Sequence, residues 1–353
     1  MLLTQQCFGR VLEYVHTIDM LTRFMPLCRS LRDMVDTELC PVVVIDKHRA
    51  DLQSLEDGSR VHLRGGVCAQ VIVRGRCRIT GSGKIHTLQV THRDDRAWVA
   101  GITIQRLMVS RGAAVLRHCR IEGVSNHCVV THRSSLRMWH CVIRHERLRT
   151  QYMGLYCRRS IVDIRDCVIE RCFAGICLED CLRSDLLRVQ VTACREGLVA
   201  QRCKTHSLRV ESLSAADVSM GIQLIDCAQE ARLAGCSVST HASGTALLVQ
   251  GAGSPTIRHS LLQGAITMLD RTSCLFHHNT VTGPLRISYS GPIVIDNHLS
   301  GKVVVRGSTG LIAHNTVDRD LERDSGQAAQ CEMYSNCVTP AAPTPDLAGG
   351  PLS

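Results

Sequence analysis

Three tetrapeptides near the end of the chain decide the fold: HNTV at residues 278–281, DNHL at 296–299 and HNTV at 314–317. Each carries an asparagine two residues before an aliphatic residue, and the copies follow one another at intervals of 18 residues. Earlier parts of the chain place a small residue in the same slot: Cys119, Cys141, Cys167, Cys236 and Ser260. Side chains that stack about 4.8 Å apart can hydrogen-bond along the stack as amides or fill the inside of a bend as thiols. The motif therefore predicts stacked turns of parallel strands.

Short apolar segments that begin at a glycine repeat outward from this motif. From Gly154 the intervals between these glycines are 21, 22, 24 and 23 residues, ending at Gly244. Each rung has a second strand-like segment; these segments lie at 136–143, 161–169, 186–191, 208–213, 231–238, 256–262, 275–281, 293–299 and 311–317. A period near 22 residues, with two or three short strands per turn and no helix, is typical of a right-handed parallel β-helix. The fixed frame of a leucine-rich repeat is absent.

Both ends of the chain differ from this repeat. Residues 1–40 place apolar side chains at helical spacing, as in Val11 and Val15, and predict a small three-helix unit. Residues 320–353 contain the stretch PAAPTP and predict a mostly disordered tail. The predicted fold class is thus mainly β, with the three-helix unit followed by a right-handed parallel β-helix of about 22 residues per rung over residues 41–319.

The composition suits a repetitive architecture better than a core built from large aromatic side chains. Of the 353 residues 44% are hydrophobic, but only 3% are aromatic. The 20 cysteines are scattered without a C-x2-C pair, so we expect reduced, buried, structural thiols and no metal site. The sequence contains neither the apolar run that predicts a membrane span nor the basic start and apolar stretch of a secretory signal. We therefore expect an intracellular protein of the cytoplasm, the nucleus or both.

Many parallel β-helices cleave polysaccharides, a reaction that requires two carboxylates held across a cleft. The acidic residues of the middle rungs instead interleave with arginines and indicate a solvated face: Asp163, Asp166, Glu170, Glu179, Asp180 and Asp185. Histidines precede the slot residue at His118 and His140, but Asp166 interrupts the series, so no metal ladder is predicted. We expect no catalytic residues and no cofactor in this chain.

Arginine dominates the positive charge. Only four of the 41 basic residues are lysine, and between Arg106 and Arg159 eleven arginines stand against two acidic residues. Parallel stacking would bring several of them into one band: Arg137, Arg144, Arg147, Arg149, Arg158 and Arg159. Guanidinium groups bind carboxylates and phosphates through bidentate hydrogen bonds, so we expect this band to hold an acidic or phosphorylated peptide. The alternatives are a solvated face without a ligand and a nucleic-acid surface, which the few stacking aromatics disfavour.

Residues 5–36 resemble an F-box. The match rests on Val11-Leu12 with Val15, on Asp19-Met20-Leu21, and on Leu27-Cys28-Arg29 with Leu31-Arg32. F-boxes bind Skp1 through short helices. The resemblance therefore implies that the apolar residues of this segment carry the Skp1 contact or the helical core beneath it: Phe8, Val11, Leu12, Val15, Leu21, Leu27 and Leu31.

Residues 60–318 resemble the parallel β-helix repeats of pectate-lyase-like proteins and of F-box proteins of the F-box only protein 11 type. Together the two resemblances imply a substrate-recognition adaptor of an SCF-type ubiquitin ligase. Its partners would be a Skp1-like protein with its cullin complex and a protein substrate held along the β-helix. Two alternatives stay open: a non-catalytic scaffold whose N-terminal helices cap the solenoid, and an RNA- or glycan-binding β-helix.

Overall fold

The protein is represented by a computed structural model that describes residues 43–45, 49–50, 54–124, 127–146, 152–203, 208–227, 231–318, 321–323, 331–334 and 336–338. These residues form parallel β-strands stacked into a β-helix, and they include no helix. The predicted helical unit at 1–40 lies outside the described residues. Its candidate Skp1-binding residues, from Phe8 to Leu31, therefore stay predictions.

Fifteen strands form the first sheet, and each pairs in parallel with the strands of the neighbouring rungs. Paired residues are 17 positions apart at Ala97 and Ala114 and 26 apart at Leu136 and Val162, so the predicted period of 22 is an average. Numbered along the chain, the strands of this sheet are β1 (Val43–Ile45), β3 (Arg60–Leu63), β5 (Arg76–Gly81), β7 (Arg96–Ala100), β9 (Ala113–Arg117), β12 (Ser135–Trp139), β15 (Ile161–Arg165), β18 (Arg183–Leu187), β21 (Leu208–Glu211), β23 (Arg232–Ala234), β25 (Thr256–Arg258), β28 (Leu275–His277), β31 (Ile293–Ile295), β34 (Gly310–Ala313) and β37 (Cys331–Tyr334).

The remaining strands form two further faces. Five long strands run through both faces and so join them into one continuous sheet. The long strands are β4 (Val67–Val73), β6 (Lys84–Val90), β8 (Thr103–Ser110), β22 (Ser214–Ile225) and β24 (Ser237–Gln250). The second face adds β2 (Arg49–Ala50), β10 (Arg120–Gly123), β13 (Val142–His145), β16 (Val168–Glu170), β19 (Gln190–Thr192), β26 (Leu261–Gln263), β29 (Thr280–Val281), β32 (His298–Leu299), β35 (Thr316–Val317) and β38 (Cys337–Val338). The third face adds β11 (Val129–His132), β14 (Met153–Arg158), β17 (Ala174–Glu179), β20 (Glu196–Gln201), β27 (Ala265–Leu269), β30 (Leu285–Ser288), β33 (Val303–Arg306) and β36 (Leu321–Arg323).

A sharp bend divides eight of the nine predicted strand-like segments into two strands, and the segment 208–213 ends at the bend after β21. In the segment 136–143, β12 and β13 are separated by His140, whose φ is 53°. The left-handed backbone conformation turns the chain where an extended strand would run straight on. It recurs directly before the slot on ten rungs, at His118, His140, Asp166, Arg188, Ser212, Gly235, His259, His278, Asp296 and His314. The histidines that precede the slot are therefore bend residues.

The slot asparagines form the hydrogen-bonded stack that the tetrapeptides predict. The side-chain amide of Asn279 donates to Oδ1 of Asn297 (3.1 Å), and that of Asn297 donates to Oδ1 of Asn315 (3.0 Å). Asn315 continues the series by donating to Asn336 at 3.0 Å. Each side-chain amide therefore donates a hydrogen bond to the next asparagine, so these buried polar groups have hydrogen-bond partners.

Cysteines fill the interior bends of the earlier rungs. Of the sixteen cysteines whose side chains the structure describes, fifteen are buried and Cys337 is exposed, and all sixteen are free. Burial raises the pKa of Cys157 and of Cys274, so both stay protonated thiols. Three stacks follow the three bends of a rung, namely Cys119–Cys141–Cys167, Cys128–Cys172–Cys194 and Cys181–Cys203–Cys227. The slot seen in the sequence accounts for the first stack alone.

Strand pairing continues past residue 319, where the sequence placed the start of the tail. β36 pairs with β33, β37 with β34 and β38 with β35, all in parallel. Within the part of the chain that the structure describes, no helix has the length and hydropathy needed to cross a membrane.

Candidate binding site

A groove of about 930 Å³ lies on the outer surface, where the third face turns into the first sheet. Seven arginines line it: Arg93, Arg96, Arg111, Arg133, Arg137, Arg159 and Arg202. Among the described residues that line the groove, Asp180 is the one acidic residue. We call this surface the basic groove.

The arginines at the turn stack in register on consecutive rungs. The backbone N–H of Arg111 donates to the carbonyl of His132 (2.9 Å), and that of Arg133 donates to the carbonyl of Arg158 (3.0 Å). Arg111, Arg133 and Arg159 all adopt the left-handed conformation, with φ of 63°, 50° and 51°. Their side chains therefore leave the same corner about 4.8 Å apart. We call this stack the corner column; it consists of Arg111, Arg133, Arg159, Asp180 and Arg202.

Asp180 neutralises only one end of the corner column. Its carboxylate lies 3.2 Å from Nε of Arg202 and 3.9 Å from Nε of Arg159. Within the described residues, no carboxylate contacts Arg111 or Arg133, and none contacts Arg93, Arg96 or Arg137 elsewhere in the groove. The groove therefore carries an excess of unneutralised positive charge.

The pKa of His132 reports this charge. It is lowered first by burial and then by the positive charges of Arg133, Arg158, Arg159 and Arg111. Like charges disfavour the protonated imidazole, so His132 stays neutral at neutral pH. The positive charge of these arginines therefore disfavours protonation of His132 and would stabilise a bound anion.

Apolar side chains form the other wall of the basic groove. Ile161 and Leu182 lie on adjacent rungs and are 45% and 48% exposed. Trp98 lines the groove as well, and the guanidinium of Arg117 lies 5.4 Å from its ring centre and 4.4 Å from that of Trp139. This cation–π arrangement holds both tryptophans of the chain against one side chain. The groove therefore pairs cationic with apolar contacts.

The structure brings together two of the six predicted arginines. Arg137 and Arg159 line the basic groove. Arg144 lies on the second face, 3.0 Å from Glu122, and Arg158 lies on the third face, 3.7 Å from Glu179. Arg147 and Arg149 lie outside the described residues. The four described arginines do not form one band, because each rung distributes neighbouring residues over three faces.

Five arginines of the groove escaped the sequence analysis: Arg93, Arg96, Arg111, Arg133 and Arg202. A second alignment of the rungs would have found two of them. A charged residue followed by Ser or Cys recurs at Arg133-Ser134, Arg159-Ser160, Asp180-Cys181, Arg202-Cys203 and Asp226-Cys227. Ser160 is fully buried and its hydroxyl donates to the carbonyl of Arg158 at 2.9 Å, so the small residue fills the corner while the charged one faces outward.

Five of the six acidic residues that the sequence analysis names on the middle rungs form ion pairs with arginine: Asp163, Asp166, Glu179, Asp180 and Asp185. Asp163 lies 2.7 Å from Arg165, and Asp185 lies 2.8 Å from Arg183. Glu179 accepts a hydrogen bond from the hydroxyl of Tyr156 at 2.5 Å, and burial together with this hydrogen bond raises the pKa of Tyr156 to about 12. In the described ranges, no three His, Cys, Asp or Glu side chains are placed to hold a metal ion.

One family model supports the β-helix fold. The family model of the right handed beta helix region matches residues 101–262. No curated protein matches the sequence. Two similar solved structures are both tailspike proteins of Escherichia coli bacteriophage HK620. One, in complex with a pentasaccharide, has a TM-score of 0.38 and 10% identity, and the alignment covers 88% of this chain and 74% of that chain. A double mutant has a TM-score of 0.31 and 9% identity with the same coverage.

Proposed function

Since the described part of this chain is a right-handed parallel β-helix, we propose that the protein is a non-catalytic substrate-recognition adaptor of an SCF-type ubiquitin ligase. Its N-terminal helices bind a Skp1-like protein with its cullin complex, and the basic groove holds a protein substrate. The adaptor makes and breaks no bond and acts by keeping the substrate close to the ubiquitin carrier.

The basic groove is the observation that carries the recognition half of this proposal. Seven arginines against one carboxylate offer charge-assisted hydrogen bonds, and the exposed side chains of Ile161 and Leu182 offer apolar area. Such mixed surfaces, with arginine near buried apolar anchors, are typical of protein–protein contacts. The docking half rests on the resemblance of residues 5–36 to an F-box.

Co-purification of full-length protein tests the docking half. The wild type is expressed in cells beside the double variant Leu12→Asp/Leu21→Asp and scored for Skp1 and cullin. We expect both partners with the wild type and a loss of at least tenfold with the variant, because two buried charges disrupt an apolar helical contact. Absence of Skp1 from the wild-type complex overturns the adaptor proposal in favour of a scaffold whose helices cap the solenoid.

A charge reversal in the groove separates substrate capture from Skp1 binding. Arg133→Glu/Arg137→Glu should keep Skp1 and lose the substrate proteins recovered by crosslinking, whereas Arg232→Glu/Arg258→Glu should lose neither. Arg232 and Arg258 are exposed on the same sheet but line a different cavity, beside Asp185 and Glu211. Unchanged capture by the first variant contradicts the assignment of the groove.

A further inference from the structure

The corner column has room for a ligand with more than one pair of anionic oxygens. Arg111, Arg133 and Arg159 are adjacent on three rungs, and the nearest carboxylate of the described residues, Asp180, reaches only the last of them. The backbones of adjacent parallel rungs lie about 4.8 Å apart, so stacked arginine side chains start from the backbone at that spacing. An anion that lies between two of them can therefore bind both.

The solenoid itself shows how a single carboxylate is satisfied. Asp166 binds one guanidinium, that of Arg188, through two parallel hydrogen bonds of 2.5 and 2.8 Å. This pair uses both carboxylate oxygens, and the exposed ion pair is complete without a second arginine. Asp180, the carboxylate of the corner column, lies 3.2 Å from Arg202 and 3.9 Å from Arg159, but its single negative charge cannot neutralise both, and a peptide carboxylate between Arg111 and Arg133 would likewise leave positive charge over.

A phosphate monoester matches the column better. It carries a charge of about −1.5 to −2 and three acceptor oxygens, so it can bridge guanidinium groups on two or three rungs at once. The pKa of His132, lowered first by burial and then by the positive charges of the neighbouring arginines, is in accord with such a cluster of like charges.

The apolar wall indicates what carries the phosphate. Ile161 and Leu182 are aliphatic, so they suit aliphatic side chains, whereas bound nucleic-acid bases require aromatic rings for stacking. Trp98 is the one aromatic side chain among the described residues that line the groove. A volume of about 930 Å³ accommodates several residues of an extended peptide.

We propose that the basic groove binds phosphorylated protein segments, with a phosphoserine or phosphothreonine in the corner column at Arg111, Arg133 and Arg159 and apolar neighbours on Ile161 and Leu182. The proposal deepens the recognition half of the adaptor function and rests on it. It names a substrate class, and it is separable from Skp1 binding because the two use different parts of the chain.

Direct titration of the purified full-length protein tests the proposal. The probes are three fluorescent libraries of seven-residue peptides with a fixed central residue, which is phosphoserine, serine or aspartate, and otherwise random positions. We expect the phosphoserine library to bind at least tenfold more tightly than serine and at least fivefold more tightly than aspartate at 150 mM salt. Equal binding of the phosphoserine and aspartate libraries overturns the phosphate assignment.

Variants locate the binding site. Arg133→Gln should weaken binding of the phosphoserine library at least tenfold, and Arg133→Lys should weaken it severalfold, because lysine keeps the charge and loses the planar fork. Arg232→Gln is the matched control and should change binding less than twofold. Circular dichroism of each variant verifies the fold. Undiminished binding by a folded Arg133→Gln protein overturns the proposal.

Two further outcomes are informative. Tighter binding of a single-stranded oligouridylate than of the phosphoserine library overturns the proposal in favour of a nucleic-acid surface. Recovery of Skp1 from cells without any preference for phosphoserine overturns this inference and leaves the adaptor function standing. Binding of the phosphoserine library by a protein that recovers no Skp1 from cells supports this inference and overturns the adaptor function.

Discussion

Asn297 shows how one side chain holds two rungs together. Its Oδ1 accepts the backbone N–H of Asn279 (2.8 Å), and its Nδ2 donates to the carbonyls of Phe276 (2.9 Å) and Ile295 (2.8 Å). The residue is 3% exposed, so water cannot replace these partners. The left-handed bend that precedes it, at Asp296, would otherwise leave these backbone groups buried without partners.

We predict that Asn297→Ala destabilises the C-terminal rungs by about 2–4 kcal/mol, because it leaves buried donors and acceptors unsatisfied. Urea unfolding and amide hydrogen exchange of Asn279 measure the effect. Thr316→Ala is the control at an exposed position and should stay within about 0.5 kcal/mol of the wild type. Equal stability of the two variants would show that the amide stack is dispensable.

Burial also sets the reactivity of the thiols. It raises the pKa of Cys77 to about 11 and that of Cys236 to about 11, in both cases by desolvation as the largest cause. Because the thiolate is the reactive form, we predict that iodoacetamide at pH 8 labels Cys337 and leaves Cys77 and Cys236 unlabelled. Mass spectrometry of tryptic peptides reads out each site, and labelling of Cys236 in the folded protein would contradict the prediction.

The same pKa values make the fold sensitive to alkali. Thiols of the unfolded chain have a pKa near 9.0, whereas Cys77 and Cys236 keep their protons until about pH 11 in the folded protein. Their contribution to stability is complete below pH 9 and is lost as the pH rises towards 11. The free energy of unfolding, measured by urea titration across this range, should fall, and the fall should be smaller in the double variant Cys77→Ala/Cys236→Ala.

At the scale of elements, a rung is three short strands and the bends between them. The strands of the third face begin at or near glycines, because the rungs approach one another closely there. A Cβ at Gly175 would lie 2.5 Å from Cγ1 of Val191 and 2.9 Å from the carbonyl oxygen of Gly197, and one at Gly154 would lie 2.8 Å from the carbonyl oxygen of Gly175. The repeated glycines therefore stack on neighbouring rungs.

We predict that Gly175→Ala lowers stability by about 2–3 kcal/mol, because the added methyl forces the backbone of two rungs apart. The matched control is Gly235→Ala. Its φ of 62° strains an alanine by about 1 kcal/mol, but the nearest atom, Oγ of Ser212, would be 3.7 Å from the new Cβ. Denaturant unfolding of both variants makes the comparison, and a larger loss for Gly235→Ala would contradict it.

At the scale of the whole molecule, the protein is a one-dimensional stack. The strand pairs of the described residues join neighbouring rungs, so no rung touches a distant one through its sheets. Stability is then a sum of rung and nearest-neighbour contributions. The basic groove belongs to this scale, because its lining residues come from rungs between β7 and β21.

We predict that a destabilising substitution increases local unfolding only in its own rung and in the neighbouring rungs. In Gly175→Ala, amide hydrogen exchange should accelerate in β14, β17 and β20 and stay unchanged in β31 and β34, which lie several rungs away. Exchange mass spectrometry with overlapping peptides measures this distribution. Uniform acceleration along the chain would show that the solenoid unfolds as one cooperative unit.

The sequence predicted the fold at the level of the rung and missed part of its detail. Repeated asparagines and glycines reveal a stack because each rung must place the same small or polar group at the same tight position. The slot residues predicted a bend, but the left-handed residue directly before the slot was not predicted, because His140 and Asp166 share this conformation without sharing a residue type. Two of the three cysteine stacks escaped because the slot motif marks one bend of each rung, whereas those stacks lie at the other two bends.

What the sequence alone determined is the architecture: a β-helix with amide and thiol stacks, which follows from local periodicity and therefore needs no knowledge of long-range contacts. Only the tertiary structure decided the basic groove. Arg137 and Arg159 are 22 residues apart and share the groove, whereas Arg158, next in sequence to Arg159, faces Glu179 on another side. The direction of a side chain depends on where each bend falls, and rungs of 17 to 26 residues place those bends at positions that no fixed period gives.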